Sequence, residues 1–258
     1  MSRFLIIPQI KSIDRSLELA SEYGFGFEYN DFFLPDVMDD AALTEDIISR
    51  YKSAGVPDIC TMHGAFFDVL IFSYDKKIRE ISELRVRQSL DIARKIGAKG
   101  VVFHTNHNPD LTAEAYIRNW FDCNEKFWRG ILDDYPDLEI YMENMFDTSP
   151  DMLAGMAERL SDKANFGVCF DYAHAVIYGS DIEKWVTTLA PYVKHMHIND
   201  NDLKNDLHLA AGDGLINWEC FKYHFETCFG DVKTVLIETS SLENQRRSAE
   251  FLRQLGIL

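Results

Sequence analysis

The segment GVVFHT (100–105) is followed, after a stretch of helical period, by LEIYME (138–143) and, after another, by FGVCFD (166–171). Each is a short run of β-branched and aromatic residues that ends in an imidazole or a carboxylate. Runs with so little polar alternation read as strands covered on both faces, as in a parallel sheet. The same unit recurs on either side. Strands are predicted over 3–9, 25–29, 58–63, 193–198 and 234–238 as well. Helices are predicted over 12–23, 39–54, 75–96, 112–132, 149–160, 181–190, 218–228 and 242–255, with Gly24 and Gly97 closing two of them. Eight βα units in about 250 residues predict a (β/α)8 TIM barrel. An open doubly wound sheet would need a glycine-rich phosphate turn after the first strand, and PQIKS (8–12) is not one. No linker, repeat or low-complexity block divides the chain, so 1–258 is read as one domain.

The 258 residues carry 42 acidic and 26 basic side chains, a formal charge of −16. This favours solubility and disfavours loose association with nucleic acid or acidic membranes. At 47% hydrophobic and 26% charged, the composition excludes a disordered chain and a small disulfide scaffold. Met1-Ser2-Arg3 leads into a short apolar run ending at Pro8, which reads as a chain without a secretion signal. No apolar stretch approaches the roughly 20 residues a membrane helix needs. Cys60, Cys123, Cys169, Cys220 and Cys228 are odd in number and lack CxxC spacing, so they read as reduced, mostly buried thiols. A cytoplasmic location is expected.

Metal-capable residues fall at matched positions. His63, His104, Glu143, Asp171 and Glu238 end predicted strands 3, 4, 5, 6 and 8, and His197 lies near the end of strand 7. His174 follows Asp171 by three residues, and the loop after strand 7 adds Asp206 and His208. In a barrel these strand ends converge on the rim that carries chemistry. A lone histidine at a strand end is more often a hydrogen-bonded structural group. Nine such residues together, four of them carboxylates that would repel one another, predict a divalent cation, zinc or manganese. His195 shares the face of His197 two residues away and is expected behind it or in a purely structural role. His107 and His224 are expected on the surface.

The motifs HGAFFD (63–68), VVFHT (101–105), YMENM (141–145), GVCFDYAHA (167–175), HMHINDND (195–202), DLHLAAGDGLINW (206–218) and VLIETS (235–240) span the chain. In order and spacing they resemble the xylose-isomerase-like TIM-barrel superfamily, which holds sugar and sugar-phosphate isomerases and epimerases and also endonuclease IV. The resemblance implies one metal held by Glu143, Asp171, His197 and Glu238. It implies that the metal polarises a substrate carbonyl while Glu143 and Glu238 move the proton beside it, with His174 on a substrate hydroxyl. It also implies, for the endonuclease branch, further metals at His63 and His104 with Glu143, and at His174, Asp206 and His208. Ketose epimerases often carry an arginine where this chain has His208, and a PGxG turn where it has AAGDG (210–214). One metal is expected, and up to three are allowed for. Related barrels often pair, so a homodimer is an expected assembly.

The rim loops weigh sugar against DNA. Residues 30–39, 64–75, 105–111, 144–151, 172–181 and 239–245 contain no lysine or arginine, and the remaining loops offer only Lys11 and Lys204. An enzyme that grips a duplex needs several cations on the phosphates, so a nucleic-acid partner is not expected. Lys76, Lys77, Arg79, Arg85, Arg87 and Arg94 sit in a predicted helix and read as a solvated face. Aromatic side chains are plentiful at the rim: Phe32, Phe33, Phe66, Phe67, Phe72, Tyr74, Tyr172, Tyr178 and Trp218. Some must be core; others suit the apolar face of a sugar. A small-molecule sugar substrate is expected to meet His63, His104, His174, His208, Phe66, Trp218 and Glu28. For Glu28 the other reading is an acid paired with a helix-borne arginine.

Overall fold

The computed structural model describes residues 3–66 and 69–258; Phe67 and Asp68, the end of the HGAFFD motif, lie outside the described residues. Eight parallel strands close into a barrel in chain order. They are β1 (Phe4–Ile6), β2 (Gly26–Tyr29), β3 (Cys60–His63), β4 (Gly100–His104), β5 (Glu139–Glu143), β6 (Phe166–Asp171), β7 (Val193–Ile198) and β8 (Thr234–Ile237). The helices between them are α1 (Ile13–Tyr23), α2 (Pro35–Asp39), α3 (Ala41–Ala54), α4 (Lys76–Ile96), α5 (Glu114–Asp134), α6 (Asp151–Arg159), α7 (Tyr172–Tyr178), α8 (Ile182–Leu189) and α9 (Trp218–Cys228), and α10 (Leu242–Gln254) closes the chain. The (β/α)8 expectation holds. Among the described residues no helix is long and apolar enough to cross a membrane.

The sequence dictates this arrangement through burial on both sides of each strand. Every residue of β4 is buried. Phe103 faces outward and packs on Trp128 of α5, with ring centroids 5.2 Å apart. Gly64 lets β3 run close beside this pair, because a Cβ there would meet the Phe103 ring at 2.3 Å. Capping side chains start several helices: Asp40 accepts from Leu43 N–H, Asp75 from Lys77 N–H and Ser241 from Asn244 N–H.

Two helices were not legible in the periodicity. α2 begins with Pro35 in its first turn, and five residues are too few to show a repeat. α7 springs directly from β6, where Asp171 caps it by accepting from His174 N–H at 2.7 Å. β8 stops at Ile237, which leaves Glu238 one residue past the strand.

Strand register sets the rim. His104 lies opposite Glu143 across β4 and β5, and Asp171 lies opposite His197 across β6 and β7. A register shift between Val168 and Cys169 skips Lys194, so Cys169 pairs with His195. Such a bulge re-aims the strand, and here His195 and His197 both turn inward and are fully buried.

Candidate metal centre

All nine strand-end and loop residues converge. One oxygen of Glu143, Oε1, stands 3.1 Å from His197 Nδ1. The other, Oε2, faces His63 Nε2 at 3.5 Å and His104 Nε2 at 3.4 Å. Glu238 Oε2 approaches His197 Nδ1 at 3.4 Å. Glu143, Asp171, His197 and Glu238 each offer a ligand atom within 4.8 Å of the others, as do His63, His104 and Glu143. At the mouth, Asp206 Oδ2 lies 3.2 Å from His174 Nε2 and 3.1 Å from His208 Nε2.

The imidazoles are oriented for a cation. His63 Nδ1 donates to the carbonyl of Gly64 at 3.1 Å, His174 Nδ1 to that of Asn144 at 2.9 Å, and His208 Nδ1 to that of Glu238 at 3.0 Å. In each ring the backbone takes one nitrogen and the other points at carboxylate oxygens. This fixes the tautomer a metal ligand needs. His208 does so from the left-handed region, at φ 48°, a conformation uncommon for a non-glycine residue. Among the described residues, Glu143 Oε2, Asp171 Oδ2 and Glu238 Oε2 are buried and make no hydrogen bond. Unpaired buried oxygens cost free energy, and a divalent cation would satisfy all three. The donor set therefore fits a metal.

Charge tells the same story. Burial pushes Glu143 up, yet His197 and His104 outweigh it and hold the carboxyl well below the usual range. Burial likewise opposes the charge on His197, but Cys169 and the carboxylates of Glu143, Glu238 and Glu28 raise it well above an ordinary histidine. His174 is raised by Asp171 and Asp206 in the same way. At His208, burial is overcome by Glu238 and Asp206, and the ring is pushed up to about 10. Asp171 goes the other way, to about 7, through burial and the charges of Glu238 and Glu143. Protons on His197, His174 and His208 thus balance the carboxylates where a metal would otherwise do so.

Several expectations need correction. Glu28 does not face the mouth, and among the described residues its partners are histidines and a threonine rather than an arginine. It is fully buried beneath His197, with Oε1 3.1 Å from His197 Nε2 and Oε2 3.0 Å from His195 Nε2. Burial keeps His195 below an ordinary histidine despite this partner. Trp218 is no sugar platform: it is 6% exposed, and its indole donates to Asp200 at 2.8 Å. His224 is buried, 2.7 Å from Glu183 and 3.1 Å from the Tyr172 hydroxyl. His107 is mostly buried beside Asp147, between Tyr116 and Trp120. Phe32, Phe72 and Tyr172 are core. Arg85 is not simply solvated; its guanidinium is held by Asp39 and its side chain is 13% exposed. Cys60 and Cys169 are buried thiols, whereas Cys123, Cys220 and Cys228 are only partly covered.

Phe66 stays at the rim. Its ring lies 5.0 Å from that of His63 and 4.5 Å from that of His104. Beside it opens a 460 Å³ cavity whose walls include Phe33, Leu34, Met38 and Ile81. Two residues the sequence did not flag hold the site together. Asn144 bridges β5 to β6, accepting from Asp171 N–H at 3.0 Å and donating to its carbonyl at 2.8 Å. Asp200 accepts from the N–H groups of Asn201, Gly212 and Ile216 and from Trp218. It folds the loop that carries Asp206 and His208.

Known proteins resemble this chain to different extents. A solved D-tagatose 3-epimerase-like protein superposes with a TM-score of 0.79 at 22% identity, over 99% of this chain and 98% of that one. The TTHB071 protein from Thermus thermophilus, solved after soaking with ZnCl2, gives 0.78 at 22% identity over 98% of both chains. At these identities the likeness is one of fold. The probable endonuclease 4 of Chlorobium phaeovibrioides is 27% identical over 118 residues, 40% of this chain and 42% of its own. Residues 17–255 match the family described as xylose isomerase-like TIM barrel, and the chain belongs to that family.

Proposed function

We propose that the protein is a divalent-metal-dependent isomerase or epimerase of a small sugar or polyol-derived ketone. The observation that carries this reading is the placement of two ionised glutamates. Glu143 from β5 and Glu238 from just past β8 both reach His197 Nδ1, and each keeps a buried oxygen that makes no hydrogen bond among the described residues. Zinc or manganese suits the ligands Glu143, Asp171, His197 and Glu238. When bound, it would polarise a carbonyl and hold two neighbouring oxygens.

The side chains do the rest. Glu143 and Glu238 are both held below the usual carboxylate range by neighbouring histidines, against the effect of burial, so both are charged and able to accept a proton. One takes the proton from the carbon beside the carbonyl; the other, once it has picked up a proton from solvent, returns one at the adjacent carbon or the opposite face, and the first then releases its own to solvent. His174 and His208 at the mouth face substrate hydroxyls, and Phe66 and Phe33 wall one side against water. The rim loops supply no cluster of cations, which favours an unphosphorylated substrate. The epimerase-like neighbour supports this reading through its shared fold.

A second reading has its own observation. Glu143 turns its second oxygen to His63 and His104, and Asp206 joins His174 and His208. That arrangement suits three metals and phosphodiester cleavage at an abasic site, as the partial likeness to an endonuclease 4 would imply. The shortage of rim cations stands against it. Incubating the metal-loaded protein with candidate ketoses in D2O separates the two. Deuterium incorporation at the carbon beside the carbonyl is the expected result. Nicking of abasic duplex DNA without any such exchange would overturn the isomerase reading.

A further inference from the structure

Beneath the metal-binding side chains lies a buried group that the proposed chemistry does not use. Glu28 projects from β2 into the barrel with no solvent exposure. Its Oε2 accepts from the Thr61 hydroxyl at 2.7 Å and lies 3.0 Å from His195 Nε2. His195 is anchored in turn by Thr234, whose hydroxyl meets Nδ1 at 2.7 Å. The other oxygen, Oε1, lies 3.1 Å from His197 Nε2. Among the described residues neither Oε1 nor His197 Nε2 makes a hydrogen bond, so the two face each other as an ion pair. His197 therefore stands between two carboxylates, Glu28 below at Nε2 and Glu143 above at Nδ1.

We infer that Glu28 is a positioning residue for the metal, acting through His197. Its carboxylate holds the His197 proton on Nε2, which turns the Nδ1 lone pair toward Glu143, Asp171 and Glu238. The charge also makes the ring a stronger donor, as carboxylates behind metal-bound histidines do. Thr61, His195 and Thr234 fix the carboxylate from the far side, so the orientation is set before any ion arrives. The inference rests on the metal reading above and concerns affinity, not the reaction.

Cobalt(II) titration, followed by its visible absorption bands and by competition with a chelator, tests it without any substrate. Glu28→Gln keeps the shape and removes the charge. It is expected to weaken the ion at Glu143, Asp171, His197 and Glu238 by about 10–100-fold and to shift the bands. Glu28→Asp keeps the charge at a longer reach and is expected to recover part of the affinity. Glu139→Gln, at the opposite end of β5, serves as the control and should bind like the unaltered protein. Wild-type affinity and spectrum in Glu28→Gln would overturn the inference while leaving the metal reading intact. So would a Glu28→Asp variant that binds more weakly than Glu28→Gln, since that order marks a space-filling role. Failure of the unaltered protein to bind cobalt would overturn both.

Discussion

His197 Nδ1 stands 3.1 Å from Glu143 Oε1 although 54 residues of chain separate them. The pair joins β7 to β5 across the barrel interior, and it is the contact a bound cation would have to open. Proton and metal compete for the same nitrogen.

That competition sets a pH dependence. His208 is raised to about 10, above an ordinary histidine, by Glu238 and Asp206 against the effect of burial. Its contribution to the metal-free fold is complete below about 6.5 and is lost as pH rises through about 10. Asp171 is raised to about 7, so its neutral form is favoured and its contribution fades as pH climbs from the ordinary carboxylate range through that value. The chelator-treated protein should therefore lose melting temperature between pH 6 and 9. Zinc replaces the lost protons, so the rise in Tm on adding zinc should grow over the same interval. Differential scanning calorimetry checks this; a zinc increment that shrinks with pH would contradict it.

Removing either glutamate should stop proton transfer. Glu238→Gln and Glu143→Gln are each expected to lower kcat by about 10²–10⁴-fold, the usual share of a positioned acid or base. Steady-state assays on whichever ketose exchanges deuterium give the values. Activity within a few-fold of the unaltered protein in either variant rules that residue out as a proton carrier.

The double variant His63→Ala/His104→Ala separates one metal from several. Both rings face Glu143 Oε2, and neither is part of the group formed by Glu143, Asp171, His197 and Glu238. Metal content by mass spectrometry should still show the ion at Glu143, Asp171, His197 and Glu238, and C–H exchange should persist. Loss of all metal and all exchange would mean that the centre works only as a multinuclear unit.

Asp200→Ala should act on stability first. The variant strands three backbone donors and the Trp218 indole. Leaving such a buried set without its carboxylate costs about 3–5 kcal/mol. Trp218→Phe removes one of those bonds and should cost about 1–2 kcal/mol. Urea denaturation measures both. Near-equal losses would mean that the indole, not the carboxylate, organises the loop.

The six strand-end residues were legible because a parallel strand ends where its side chain enters the rim, and that position can be counted along the chain, while His174, Asp206 and His208 follow those ends in the same motifs. Glu28 was not, since its partner depends on the barrel's stagger. It sits opposite Thr61 in β2–β3 but reaches across the interior to β7. Trp218 near a rim motif reads equally well as platform or core, and only the Asp200 contact decides. His224 was misplaced for a similar reason, because its burial comes from Tyr172 and Glu183, far away in sequence. Helix α7 escaped because seven residues carry too few turns to display a period.

The most direct test is an anomalous-scattering map from crystals grown with zinc, recorded on both sides of the metal edge. The account predicts a peak about 2.0–2.2 Å from His197 Nδ1 and from oxygens of Glu143, Asp171 and Glu238. Zinc found only elsewhere on the protein, with those four side chains left bare, would contradict it.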